Sequence, residues 1–146
     1  MSTTDPAADP SAAPSEATEL LAQLSFGVMG RLSTVASEED MSLTQLRMLG
    51  ILRDRTPRMA DLASRLGVDR SSVSGLIARA ERRGLVKRVA AEDDARGVSV
   101  VITPEGLAFA VPAMQRISAE LEPLLAVFDA EERAQFARLL AKITGH

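Results

Sequence analysis

Apolar residues near the start of the chain repeat with the period of an α-helix. From Ala17 onward they recur every three or four positions, which predicts an amphipathic helix that the acidic run 38–40 closes. The apolar stripe of this helix consists of Leu21, Leu24, Val28, Leu32 and Val35. A single helix cannot bury such a stripe, so a packing partner is expected.

The last third of the chain has the same character. Thr103, followed by a proline and an acid, predicts the start of a helix that runs to about residue 122 and bends at Pro112. Asp129 with Glu132 predicts the start of a final helix. Its apolar positions are Phe136, Leu139, Leu140 and Ile143.

The middle of the chain predicts three shorter helices. Ser42 with Gln45 has the spacing of a capping box, and the helix that follows ends before Thr56. A short second helix ends at Gly67, Asp69 is placed to cap the third, and Gly84 ends it. The third helix has a buried stripe of Val73, Leu76, Ile77 and Ala80. The second and third helices, joined by a tight turn, match the helix-turn-helix pattern.

A β-hairpin is expected after these helices. The runs "LVKRV" (85–89) and "VSVVI" (98–102) are rich in β-branched residues, and a polar segment separates them. This pattern places residues 92–97 at the tip of the hairpin.

Charge is distributed unevenly, although the net charge is only −3. Residues 41–102 hold twelve of the 17 basic and seven of the 20 acidic side chains, so this segment carries +5 and the rest −8. A basic module between acidic flanks indicates a nucleic-acid partner. A solvated basic face without a partner is the alternative.

Composition argues against several other classes of protein. The chain has no cysteine and its one histidine is His146, which leaves neither ligands for a metal nor a base for histidine-dependent catalysis. Ser71, Ser72 and Ser74 therefore have no histidine to activate them, no glycine-rich phosphate loop is present, and no cofactor is expected. We expect a protein that is not an enzyme. Without a membrane-spanning run or a secretory signal, a cytoplasmic location is expected.

The chain divides into three parts on these grounds. Residues 1–16 contain small, acidic and proline residues and are expected to form a disordered tail. Residues 17–40 and 103–146 form a helical dimerisation region, in which the arms pack on each other and on a second copy. Residues 41–102 are expected to form the nucleic-acid-binding region.

Several motifs in this order resemble one family. "LTQLRMLGIL", "LASRLGVDRSSVSGLIARAERRGLVKR" and "DARGVSVVITPEG", within residues 43–107, resemble the MarR (multiple-antibiotic-resistance regulator) family of bacterial transcription factors. The resemblance implies a mainly α-helical fold with a small β-hairpin wing. It implies a winged helix-turn-helix that dimerises through its N- and C-terminal helices and reads double-stranded DNA at a pseudo-palindromic operator. It also implies repression relieved by a small aromatic or anionic effector, whose ligands the sequence does not indicate.

The recognition helix of such a protein would begin near Arg70. Arg70, Ser71, Ser72 and Ser74 lie in or just before its first turn, where side chains reach bases or phosphates. Arg79 lies about two and a half turns further on, and a phosphate or structural contact is expected of it. Position 75, where the family commonly has a long polar or basic residue, is glycine; either the backbone approaches something closely or the change is neutral.

The wing carries the family's Asp-x-Arg motif as Asp94 and Arg96. We expect Arg96 to enter the minor groove, where the negative potential is enhanced, while Asp94 braces the loop by pairing with Arg88. Lys87 and Arg58 are further candidates for phosphate contacts. The rival hypothesis is a winged-helix module for protein contacts that does not bind specific DNA.

Overall fold

A computed structural model describes residues 13–145, apart from the side chains of residues 94 and 95. Six helices and one two-stranded sheet follow one another in this part of the chain. They are α1 (Glu16–Glu38), α2 (Leu43–Asp54), α3 (Met59–Leu66), α4 (Arg70–Arg82), β1 (Val86–Ala91), β2 (Asp94–Ile102), α5 (Pro104–Leu125) and α6 (Ala130–Thr144). The predicted fold class, mainly α-helical with a β-hairpin wing, is confirmed.

Local capping explains where the helices begin. The Ser42 hydroxyl accepts from the backbone N–H of Gln45 at 3.1 Å, and the Gln45 amide oxygen accepts from the Ser42 N–H at 2.8 Å. Asp129 and Glu132 form the same reciprocal pair at the start of α6. Both capping boxes predicted from the sequence are therefore present.

The core lies where α2, α3, α4, the hairpin and α5 meet. Met48, Leu49, Leu62, Ile77 and Val100 are all fully buried there. The predicted stripe of α4 contributes four buried residues, Val73, Leu76, Ile77 and Ala80. A second, smaller cluster joins α1, α2 and α5 through Val35, Ala36, Leu46 and Ala113.

The hairpin differs from the prediction in its register. β1 and β2 pair antiparallel from Val86 opposite Ile102 to Ala90 opposite Val98, and a bulge then brings Ala91 opposite Asp94. The turn therefore consists of residues 92 and 93 alone, and Arg96 lies within β2 instead of at the tip. The bulge takes up the extra residues of β2, which the sequence pattern did not reveal.

The hairpin is attached to the loop before α3. The backbone N–H of Val100 donates to the carbonyl of Pro57 at 3.0 Å, and Arg58 forms a bridge with Ser99. This isolated bridge and the hydrogen bond fix the wing against the helix-turn-helix.

Helices α1 and α5 are slightly longer than the sequence predicts. Most of the expected disordered tail lies outside the described residues, but Ser15 caps α1 and Glu16 is its first residue. Helix α5 runs continuously through Pro112 and ends three residues later than expected, at Leu125.

The terminal helices leave much apolar surface exposed in a single chain. No residue of α6 is buried. The exposed apolar side chains of α1 and α6 include Leu20, Leu21, Leu24, Phe26, Met29, Leu139, Leu140 and Ile143.

The start of α5 packs directly on the backbone that follows α4. A Cβ atom on Gly106 would lie 2.0 Å from the carbonyl oxygen of Leu85 and 2.7 Å from Ile102 Cγ1. Thr103 holds this junction, because its hydroxyl donates to the Gly84 carbonyl at 2.6 Å. Position 106 therefore accepts only glycine without movement of the backbone.

We predict that Gly106→Ala lowers the free energy of unfolding by about 3 kcal/mol, because the added methyl overpacks against backbone atoms. Urea denaturation at one protein concentration measures the loss. Gly75→Ala is the control, since its Cβ would lie 3.5 Å from an Arg79 nitrogen, an ordinary contact. This control should raise stability by about 0.5–1 kcal/mol through helix propensity. Equal stability of the two variants would contradict the packing described.

Candidate nucleic-acid interface

One open cleft separates α3, α4 and the wing. Its volume is about 420 Å³, and its polar lining consists of Arg58, Arg70, Ser74 and Arg96. Arg58 immediately precedes α3, Arg70 is the first residue of α4, and Arg96 lies on β2. The fold thus brings four of the predicted DNA-contacting residues to one surface.

Arg58 links this cleft to the turn of the wing. Its guanidinium donates to the Asp93 carboxylate at 2.5 Å, and this hydrogen bond lowers the pKa of Asp93. Arg58 therefore has a bracing role that the sequence analysis did not assign to it.

Arg88 contacts the recognition helix α4. Its guanidinium lies 3.6 Å from the Glu81 carboxylate and donates to the backbone carbonyl of Ser74 at 3.4 Å. Since β1 packs beside α4, Arg88 ties the wing strand to the recognition helix. The side chain of Asp94 lies outside the described residues, so its bracing role stays a prediction.

The first turn of α4 is organised around Asp69. The carboxylate accepts from the Ser72 N–H at 2.8 Å, the Ser71 hydroxyl at 2.7 Å and the Ser72 hydroxyl at 3.0 Å. These bonds, the backbone one foremost, lower the pKa of Asp69 to about 2. The hydroxyl hydrogens of Ser71 and Ser72 are thereby engaged, which leaves these two side chains as acceptors for any partner. Among the described residues, none hydrogen-bonds to the Ser74 hydroxyl.

A second cleft lies between α4 and the start of α2. Its volume is about 500 Å³, and Arg79 is its only charged lining residue; the others are Ser42, Thr44, Val68, Ser71, Ser72, Gly75 and Leu76. Arg79 also borders a neighbouring cleft with Asp40, Gln45, Arg82 and Arg83. Lys87 is exposed on β1, opposite Val101, and lines neither the cleft beside the wing nor the cleft between α4 and α2.

Arg83, which the sequence did not single out, connects the recognition helix to the helical arms. Its guanidinium donates to the carbonyls of Asp40 and Glu39 at 3.2 and 3.4 Å and lies 5.5 Å from the centre of the Phe109 ring. Asp40 adopts a positive φ of 54°, which turns the chain between α1 and α2. These partners are distant in sequence, so no local pattern identifies them.

The described part of the chain contains no group of three or more histidine, cysteine or acidic side chains arranged to hold a metal ion. Within the same residues, no helix combines the length and the apolar character needed to cross a bilayer.

Comparison with known proteins identifies the family. Residues 39–97 match the MarR family. The homoprotocatechuate degradative operon repressor of Escherichia coli is 31% identical over 122 residues, which cover 82% of each protein. The chain belongs to the MarR family of transcriptional regulators. That relative is named as a repressor.

Solved MarR-family structures share the fold of this regulator. NadR in complex with 4-hydroxyphenylacetate has a TM-score of 0.76 at 22% identity, covering 98% of this chain and 97% of NadR. The complex of Staphylococcus aureus MepR with DNA has a TM-score of 0.73 at 20% identity, covering 91% of this chain and 98% of MepR. At these identities the likeness concerns the winged helix-turn-helix fold itself.

We predict that the Asp69 carboxylate titrates near pH 2 in the folded protein, well below its ordinary value of 3.8. Because the folded pKa is the lower one, Asp69 stabilises α4 above the unfolded pKa, and this contribution is lost as pH falls through the folded value. Nuclear magnetic resonance titration of the Asp69 side chain measures this pKa. Ser71→Ala should raise the pKa of Asp69, and Ser64→Ala on α3 should not. An Asp69 pKa at its ordinary value would contradict the cap geometry.

Proposed function

We propose that this MarR-family regulator binds specific double-stranded DNA through α4 and the wing, as a homodimer. The observation that carries the proposal is the single open cleft that Arg58, Arg70, Ser74 and Arg96 line. Three guanidinium groups on one concave surface, within a segment of charge +5, are suited to the phosphates and groove edges of a duplex.

Two elements that border the cleft would contact different grooves of the DNA. Arg70 begins the helix that would enter the major groove, where arginine can form two hydrogen bonds with guanine. Arg96 is carried by the wing, which would reach the adjacent minor groove. The solved MepR–DNA complex supports this arrangement by analogy of fold.

A homodimer would bind an operator whose two halves mirror the two-fold symmetry of the protein. The apolar side chains exposed on α1 and α6 need a partner, and a second copy of the same helices offers a matching surface. Two recognition helices about 34 Å apart would then read successive major grooves of a pseudo-palindrome. Such a protein acts where bacterial DNA lies, in the cytoplasm.

Repression relieved by a small molecule is the regulation we propose. The E. coli relative is named as a repressor, and NadR was solved with 4-hydroxyphenylacetate, a small aromatic anion. An effector that binds where α1, α2 and α5 meet would alter the spacing of the two recognition helices. By linkage, effector and DNA would weaken each other's binding by the same factor.

Binding to a mixed-sequence duplex at two salt concentrations tests the DNA-binding function. The wild-type protein should bind more weakly at the higher concentration, because phosphate contacts release counterions. Arg70→Ala and Arg96→Ala should each reduce affinity by about tenfold or more, since each contact occurs twice in a dimer. Arg138→Ala, which removes an exposed charge on α6, is the matched control and should change affinity little. Binding without salt dependence, or none at all, would favour the rival role in protein contacts.

The oligomeric state provides a second test of the proposal. Ile143→Glu, together with Leu139→Glu, places charge on the exposed apolar face of α6 and should shift the protein from dimer to monomer in sedimentation equilibrium. Val98→Glu introduces the same charge at an exposed apolar position of the wing, where it should leave the dimer intact. If wild-type protein sediments as a monomer, the proposed operator geometry is wrong.

A further inference from the structure

Gly75 lies in the middle of α4 and lines the cleft between α4 and α2. The nearest side-chain atom to the place of its missing Cβ is an Arg79 guanidinium nitrogen, at 3.5 Å. Residues four apart share one face of a helix, and long side chains lean toward the preceding turn. Arg79 therefore covers the surface that a side chain at position 75 would otherwise occupy.

Arg79 supplies the positive charge of this cleft. The Ser71 and Ser72 hydroxyls, which share the lining, already donate to Asp69. Arg79 itself is exposed and forms no ion pair with a side chain in the described part of the chain. The neighbouring cleft that it also borders holds one acid, Asp40, against Arg82 and Arg83, so the local balance remains basic.

We propose that Gly75 positions Arg79 to bind a phosphate of the DNA backbone in the cleft between α2 and α4. The proposal rests on the proposed DNA-binding function. A phosphate projects from the duplex and can enter a concave cleft, whereas base edges are recessed within the groove. Recognition by this helix thus combines a base-reading first turn at Arg70 with a phosphate contact that lies over Gly75.

The size of residue 75 decides whether this contact forms. Alanine fits, because its Cβ would meet the guanidinium at an ordinary contact distance of 3.5 Å. A longer side chain extends from that Cβ into the space of the guanidinium and displaces Arg79 from the cleft. A small residue at position 75 is therefore required for the phosphate contact, and a long polar residue is incompatible with it.

A double-mutant cycle on a mixed-sequence duplex of about 30 base pairs tests the proposal. Arg79→Ala should weaken binding about fivefold per subunit at about 0.15 M salt, or about twenty-fivefold for a dimer, and should reduce the salt slope by about two. Gly75→Gln should cause the same loss. Gly75→Gln combined with Arg79→Ala should bind no more weakly than either variant alone, and Gly75→Ala should stay within about twofold of wild type.

Two controls separate this coupling from other effects. Arg82→Ala removes a charge from the next part of the same helix, and its effect should multiply with that of Gly75→Gln. Thermal unfolding should show Gly75→Gln to be at least as stable as wild type, since glutamine favours helix more than glycine does.

Losses from Gly75→Gln and Arg79→Ala that multiply would overturn the proposal, as would an unchanged salt slope in Arg79→Ala. In either case wild-type binding would still support the proposed function. A wild-type protein that shows no salt-dependent binding would refute the proposed function and this inference together.

Discussion

Burial of one face of α4 determines what its other face can do. Val73 and Ile77 are fully inaccessible, and they pack among α2, α3 and the hairpin. Each such side chain contributes about 1.5–3 kcal/mol through burial, whereas an exposed ion pair contributes about 1 kcal/mol or less. Apolar packing, and not the ion pairs at the rim, therefore fixes the direction in which Arg70, Ser74 and Arg79 face.

The polar contacts around α4 hold neighbouring elements in fixed positions relative to it. The hydrogen bond from Val100 to Pro57 and the pair between Arg58 and Asp93 hold the wing to the loop before α3. Arg88 holds the same wing to α4, and Arg83 connects the end of α4 to the corner between α1 and α2. Each contact is weak alone, but together they leave the wing, the recognition helix and the arms little freedom to move independently. A change in the packing of the arms would therefore alter the position of α4 and the wing.

The features that the sequence predicted correctly depend on neighbours within one helical turn. The capping boxes at Ser42 and Asp129, the cap at Asp69 and the stripe of α4 are of this kind, because their partners lie three or four residues away. The contacts of Arg83 and the register of the hairpin were missed, since each depends on how distant segments pack. The family resemblance predicts the residues of the candidate site, and the structure places Arg58, Arg70, Ser74 and Arg96 around one cleft. The position of Arg79 over Gly75 could not be predicted, because it depends on the path of one long side chain.

Helix α6 is held to its own subunit by little more than its first turns. The rings of Phe128 and Phe136 lie 5.2 Å apart, Arg133 pairs with Glu122 at 2.6 Å, and no residue of the helix is buried. Segments with so few internal contacts open most readily, and cellular proteases cleave open segments first. In the proposed homodimer, subunits without a partner would therefore be the ones most exposed to degradation. Few monomers would then remain in the cell to bind a single half of the proposed operator.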